Sequence, residues 1–193
     1  MKTLYLLRHG RTEANGKFVG STDLPVAESG FDQLEKTRLS LSQKAISTVF
    51  CSPKLRCRQS AERMQLGMDL TLCNEIREID FGEWEELSFD EINTGWPEKV
   101  AEWSNWSKDF TFPHGENIGD FLARIESFKA IIDACEEKNI LVVAHGGVIR
   151  NLICLYLGLS PDKYLLFNVE AGCFSSLELY SEGAVLTSLN AGK

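Results

Sequence analysis

Three short apolar runs constrain this chain more than anything else in it, because each breaks off into a charged or imidazole-bearing loop and is followed by a helix-forming stretch. Thr3 to Leu7 runs into Arg8-His9-Gly10, Ile46 to Phe50 into Ser52-Pro53, and Ile140 to Ala144 into His145-Gly146-Gly147. Continuous apolar runs of about five residues read as strands covered on both faces, the pattern of a parallel sheet. The stretches between them have a different period. Glu28 to Gln43 carries Phe31, Leu34, Leu39 and Leu41 among charges, and Lys54 to Met64 begins just past Pro53. Ile118 to Cys135 places Phe121, Leu122, Ile125, Phe128, Ile131 and Ile132 at helical spacing, and Val148 to Leu157 is an apolar helix. Cys173 to Leu179 and Val185 to Leu189, on either side of Gly183, predict a hairpin. The alternation predicts an α/β three-layer sandwich, a mainly parallel sheet with helices on both faces. A single domain over 1–193 is expected, with a helical cap-like segment around 85–117.

In open α/β sheets, ligands bind beyond the carboxyl ends of the strands. The topology therefore predicts that Arg8, His9, Arg56 and His145 converge on one sheet edge. Taken singly, each has a plainer explanation as a loop charge or a hydrogen-bonded histidine, and for Arg56 alone that explanation is the stronger one. Four such residues at three equivalent strand ends are harder to dismiss. The chain carries a net charge of -8, which disfavours nucleic acid and anionic membranes as partners. An anionic small molecule would then need a local cluster of positive groups. Six cysteines without a CxxC pair read as reduced, buried thiols of a cytoplasmic protein, and no apolar run is long enough to span a membrane. His9, His114 and His145 are the only histidines. With no HExxH, acidic metal cluster or Walker loop, neither a metal nor a cofactor is expected.

The chemistry such a cluster suits is phosphoryl transfer. Planar arginine forks match phosphate oxygens, and a neutral imidazole is a competent nucleophile. Neighbouring guanidinium groups should hold His9 unprotonated, with His145 expected as its imidazolium partner. A departing alkoxide also needs a proton from an acid.

Leu7-Arg8-His9-Gly10-Arg11-Thr12-Glu13-Ala14-Asn15 resembles the RHGxTxxN signature of the histidine phosphatase (phosphoglycerate mutase-like) superfamily. Ser52-Pro53-Lys54-Leu55-Arg56 with Ser60-Ala61 resembles its second arginine motif. Ile76 to Glu85 resembles its acid-donor motif, and Ala144-His145-Gly146-Gly147 its second histidine motif. The four lie in family order across nearly the whole chain. The resemblance implies a metal-independent phosphomonoesterase with His9 as the phosphorylated nucleophile. It further implies that Arg8, Arg56, His145 and Gly146 surround the phosphoryl group, that Asn15 lies at the pocket rim, and that Glu78 is the proton donor.

Some assignments stay open. Five other carboxylates compete with Glu78, Glu83 first among them, and Asn15 could equally be a turn residue before Gly16. The family's Trp-Glu-Gly is Trp84-Glu85-Glu86 here. Trp103-x-x-Trp106, Gly115-Glu116 and Gly172-Cys173-Phe174-Ser175 look like the α-ribazole-5'-phosphate phosphatases of cobalamin biosynthesis, with a broad-specificity or sugar-phosphate phosphatase as the alternative. A phosphometabolite-binding module without turnover is the reading from another class. Trp103 and Trp106 at helical spacing would share one helix face, either packing on the sheet or forming a specificity wall with His114.

Overall fold

The computed structural model describes all 193 residues. In order, its elements are β1 (Lys2–Arg8), α1 (Glu28–Leu41), β2 (Thr48–Cys51), α2 (Leu55–Arg63), β3 (Leu70–Leu72), α3 (Phe89–Gly95), α4 (Pro97–Ser104), α5 (Ile118–Ala134), β4 (Asn139–Ala144), α6 (Gly146–Tyr156), β5 (Phe174–Tyr180) and β6 (Gly183–Ala191). The strands form one sheet in the order β3-β2-β4-β1-β5-β6. The first four in that order are parallel, and β5 and β6 close the other edge antiparallel. This is the α/β architecture the alternation predicts.

The apolar runs become central strands because alternate side chains find cover on opposite faces. Leu4 and Leu6 of β1 join Ile140, Val142 and Ala144 of β4 in a cluster roofed by Phe121, Ile125 and Phe128 of α5 and by Val148, Ile149 and Leu152 of α6. Tyr5, Leu7, Val49, Leu141 and Val143 face the other way, onto Leu34 and Leu41 of α1 and Cys57 and Ala61 of α2. Each fully buried aliphatic side chain contributes about 1.5–3 kcal/mol, so both layers are needed to hold the sheet. Five of the six cysteines are buried, Cys135 is half-buried, and all six are free. No helix is long and apolar enough to cross a membrane.

The register sets up the site. Arg8 pairs with Ala144 and Cys51 with Val143, so the ends of β1, β4 and β2 stand level. The chain leaves β1 for the α1 face and leaves β4 for the α6 face. A crevice opens between two adjacent strands whose connections diverge.

Several local readings are corrected. α4 ends at Ser104, and Trp106 follows it with φ of 37°, so Trp103 and Trp106 do not share a helix face. The apolar helix predicted from Val148 begins at Gly146, with His145 as its N-cap. β3 is an added edge strand whose Thr71 and Leu72 are exposed, and it carries no apolar run to betray it.

Glu86 takes φ of 59°, a left-handed conformation that only glycine adopts without strain. Its N–H donates to the Phe18 carbonyl at 2.7 Å, which holds the chain there. Glu86→Gly relieves the strain at some cost in unfolded-chain entropy, a net gain of about 0.5–1 kcal/mol. A melt should show Tm raised by roughly 1–3 °C. A lowered Tm would contradict this reading of the turn.

Candidate active site

His9 follows β1 directly, and its N–H donates to Ala144 O at 3.1 Å, continuing the β1–β4 ladder one residue past the strand. Its ring Nδ1 lies 2.8 Å from Gly10 O. A carbonyl only accepts, so Nδ1 carries the proton and Nε2 keeps its lone pair. Gly10 N donates to Ser60 Oγ at 3.0 Å, which ties this loop to α2.

His145 is fully buried beside it, with ring centroids 5.2 Å apart and planes at 63°. Arg56 Nε, which can only donate, approaches His145 Nδ1 at 3.2 Å. Nδ1 is therefore an acceptor, and Nε2 donates to Ser52 Oγ at 2.8 Å. Arg56 is likewise fully buried. Its remaining donors reach Thr22 O at 2.7 Å, Gly20 O at 2.9 Å and Val19 O at 3.4 Å. Arg8 Nη1 donates to Val169 O at 2.7 Å, whereas its buried Nε has no partner.

Burial is the largest influence on His9, and with the charges of Arg8 and Arg56 it pushes the pKa well down, against a smaller opposing effect of the Gly10 bond. Burial, then Arg56, His9 and Arg8, do the same to His145. The imidazolium expected at His145 is thus corrected: in the free site both rings are neutral, and the positive charge rests on the arginines. Both native pKa values lie below the unfolded value of about 6.5, so the unfolded chain binds protons that the native chain does not. The stability these rings contribute is present above that pH and lost as pH falls. An NMR titration of the ring nitrogens should find both histidines neutral at about pH 6, with Tm falling on further acidification. A midpoint at or above the ordinary value for either ring would contradict this.

Glu78 reaches the same edge from the loop before α3. Its Oε2 accepts from Gly147 N at 3.0 Å and its Oε1 from Ile79 N at 3.2 Å. A Cβ at position 147 would stand 2.5 Å from Glu78 Oε1, so any larger residue there would displace the carboxyl. Three of the competing carboxylates have other partners: Asp80 Oδ1 accepts from Gly82 N at 2.9 Å, and Glu83 is exposed and 3.5 Å from His114. Glu85 accepts from the backbone N–H groups of Gly20, Ser21 and Thr22 and so holds the loop that also caps Arg56.

A cavity of about 320 Å³ adjoins this cluster. Arg8, Gly146, Gly147 and Glu78 line it beside the cluster, and Phe18, Phe81, Trp103, Trp106, Phe112 and Phe121 give it an aromatic wall. Lys17, Arg150 and Tyr164 add polar groups that the sequence motifs did not single out, although Gly146, Gly147, Arg150 and Asn151 share one face of α6. His9, Arg56 and His145 do not line the cavity itself. Asn15 is exposed in the turn before Gly16, whose φ is 84°, and it too lies off the lining. His114 is exposed and borders a separate polar depression that shares Glu78. No group of three or more His, Cys, Asp or Glu side chains is placed to hold a metal ion.

A sequence model described as the histidine phosphatase superfamily (branch 1) matches residues 4–192. The adenosylcobalamin/alpha-ribazole phosphatase of Salmonella typhimurium is 31% identical over 193 residues, spanning 97% of this chain and 96% of that protein. Phosphoserine phosphatase 1 of Hydrogenobacter thermophilus is 25% identical, spanning 98% of this chain and 92% of its own. The crystal structure of the alpha-ribazole phosphatase from Shigella flexneri superposes with a TM-score of 0.89 at 28% identity, covering 98% of this chain and 96% of that one.

Proposed function

The chain belongs to the histidine phosphatase superfamily and is a phosphatase, and from that premise we propose that His9 takes the phosphoryl group of α-ribazole 5'-phosphate. The observation that carries this is the His9 ring itself. Its Nδ1 proton is committed to Gly10 O, and its free Nε2 sits in a field made positive by Arg8 and Arg56. Nε2 attacks phosphorus in line, the P–O ester bond breaks, and Glu78 gives its proton to the departing alcohol. Arg8, with an unpartnered Nε, meets the developing charge on the equatorial oxygens. In the second step Glu78, now a carboxylate, takes a proton from water as that water attacks the phosphohistidine. Phosphate is released and His9 is restored. Gly147 N, opposite the carboxyl, fixes Glu78 for both proton transfers.

The aromatic wall and the relatives named as α-ribazole phosphatases both support a leaving group bearing a flat heterocycle. The two indoles differ in their surroundings. Trp103 packs edge-on against Phe18 at 5.9 Å and Trp84 at 5.7 Å, so the part of the wall it forms is braced on the core. Trp106 lines the cavity without an aromatic partner. Stacking on a base is worth roughly 1–3 kcal/mol, so Trp106→Ala should lower kcat/KM for α-ribazole 5'-phosphate about 5- to 150-fold and spare p-nitrophenyl phosphate. Trp103→Ala should lower both rates together with Tm. Equal losses on both substrates for Trp106→Ala would remove it from the specificity wall.

Lys17 and Arg150 favour a second reading, a phosphomonoester whose leaving group carries a carboxylate, as phosphoserine does. The test is kcat/KM across α-ribazole 5'-phosphate, phosphoserine, phosphoglycerates and sugar phosphates. The proposal requires α-ribazole 5'-phosphate to lead. Preference for phosphoserine would transfer the assignment to the second reading, and a flat profile would make this a broad-specificity phosphatase.

A further inference from the structure

Arg124 lies on α5, one turn beyond Phe121, and is aimed at the loop that carries Glu78. Its Nη1 donates to Glu75 O at 2.6 Å and to Arg77 O at 2.5 Å, and its Nη2 donates to Glu78 O at 3.1 Å. On its other edge the guanidinium forms a two-point pair with Glu116, Nε to Oε1 at 2.7 Å and Nη2 to Oε2 at 2.9 Å. Glu116 Oε2 also accepts from Asp80 N at 3.1 Å. One ion pair therefore grips the backbone at residues 75, 77, 78 and 80, on both sides of the Glu78 side chain. The pair is largely shielded, with side chains 15% and 18% exposed, and the guanidinium rests 4.6 Å from the centre of the Phe121 ring.

A shielded ion pair contributes little net stability, because desolvation offsets the attraction. What the pair does contribute is geometry. Five donors in a rigid plane fix several acceptors at once, which neither a lysine nor an apolar side chain can do. The Glu78 carboxyl must sit within hydrogen-bond reach of the leaving oxygen, and a displacement of about 1 Å costs on the order of 100-fold in rate. We propose that Arg124 and Glu116 form a clamp that positions Glu78 for proton transfer, so that both are positioning residues for the reaction. The inference rests on Glu78 being the acid, as proposed above. Glu116 lies outside the aromatic cavity and borders, with Glu78, the separate polar depression.

The test compares phenyl phosphate with 2,4-dinitrophenyl phosphate, two aryl esters of similar shape. Phenolate needs a proton to leave and dinitrophenolate does not. Arg124→Met should lower kcat/KM on phenyl phosphate about 10- to 100-fold and on the dinitrophenyl ester by less than about threefold, with KM nearly unchanged. Glu78→Gln should show the same selectivity, larger, and adding Arg124→Met to it should slow phenyl phosphate no further. Equal losses on the two esters, or full additivity in the double variant, would overturn the clamp. If Glu78→Gln itself is unselective, the acid assignment fails and the clamp goes with it. A selective Glu78→Gln beside an unselective Arg124→Met overturns the clamp alone. Should Arg124→Met not fold, Glu116→Gln keeps the guanidinium and the side-chain size and is held to the same comparison.

Discussion

His9→Ala should lower kcat/KM by at least about 10³-fold while the protein stays folded, because the variant loses the ring proposed to receive the phosphoryl group. The ring is half-buried in a loop past β1, and its one hydrogen bond, to Gly10 O, is worth about 1 kcal/mol. Its removal also relieves the burial that opposes protonation of the ring, so Tm should move by only a few degrees. Initial rates on p-nitrophenyl phosphate and a thermal melt of the same preparation check both halves. A variant retaining more than about a hundredth of the wild-type rate would show that another group receives the phosphoryl.

Arg56→Ala should have the largest combined effect on stability and rate. The side chain is fully buried and supplies donors to Val19, Gly20 and Thr22 carbonyls and to His145 Nδ1. Truncation strands these acceptors and leaves a cavity where the stem was, a loss of about 3–5 kcal/mol and a Tm lowered by roughly 10 °C. It also frees the loop bearing Val19, which lines the cavity, and removes a charge that keeps His9 neutral. At a temperature where the variant is folded, kcat/KM should still be down by about 10²-fold or more. Arg56→Lys should rescue neither property well, since a single ammonium cannot reach four acceptors in one plane. A lysine variant close to wild type in both rate and Tm would mean that Arg56 contributes charge alone.

The strands that carry the site were legible in the sequence because their signal is local. An apolar run with a polar terminus specifies both the double-sided burial and the point where the chain leaves the sheet, so Arg8, His9 and His145 could be placed from the residues beside them. The same holds for α5, whose apolar spacing begins at Ile118 and whose cap is Asn117. The cavity wall was not legible in that way. Phe18, Phe81, Trp106, Phe121 and Tyr164 come from separate segments, and nothing local says that they meet. Trp103 and Trp106 show where periodicity misleads, because the helix ends between them at Ser104. The protonation of His145 was misjudged for a related reason. The arginine charges were visible in the motif, but the burial that outweighs every other influence on that ring is a property of the whole fold. The case for Glu78 over Glu83 and Glu85 rests on each carboxylate's partners, which come from distant segments.

A covalent phosphohistidine is what most directly separates the proposed chemistry from every other route. Rapid mixing with radiolabelled substrate followed by alkaline quench should leave label on the protein that survives base and is lost in acid. Peptide mapping should place it on His9, and His9→Ala should remove it. Label that maps elsewhere, or turnover through the first catalytic cycle with no protein-bound phosphate at any mixing time, would contradict the mechanism.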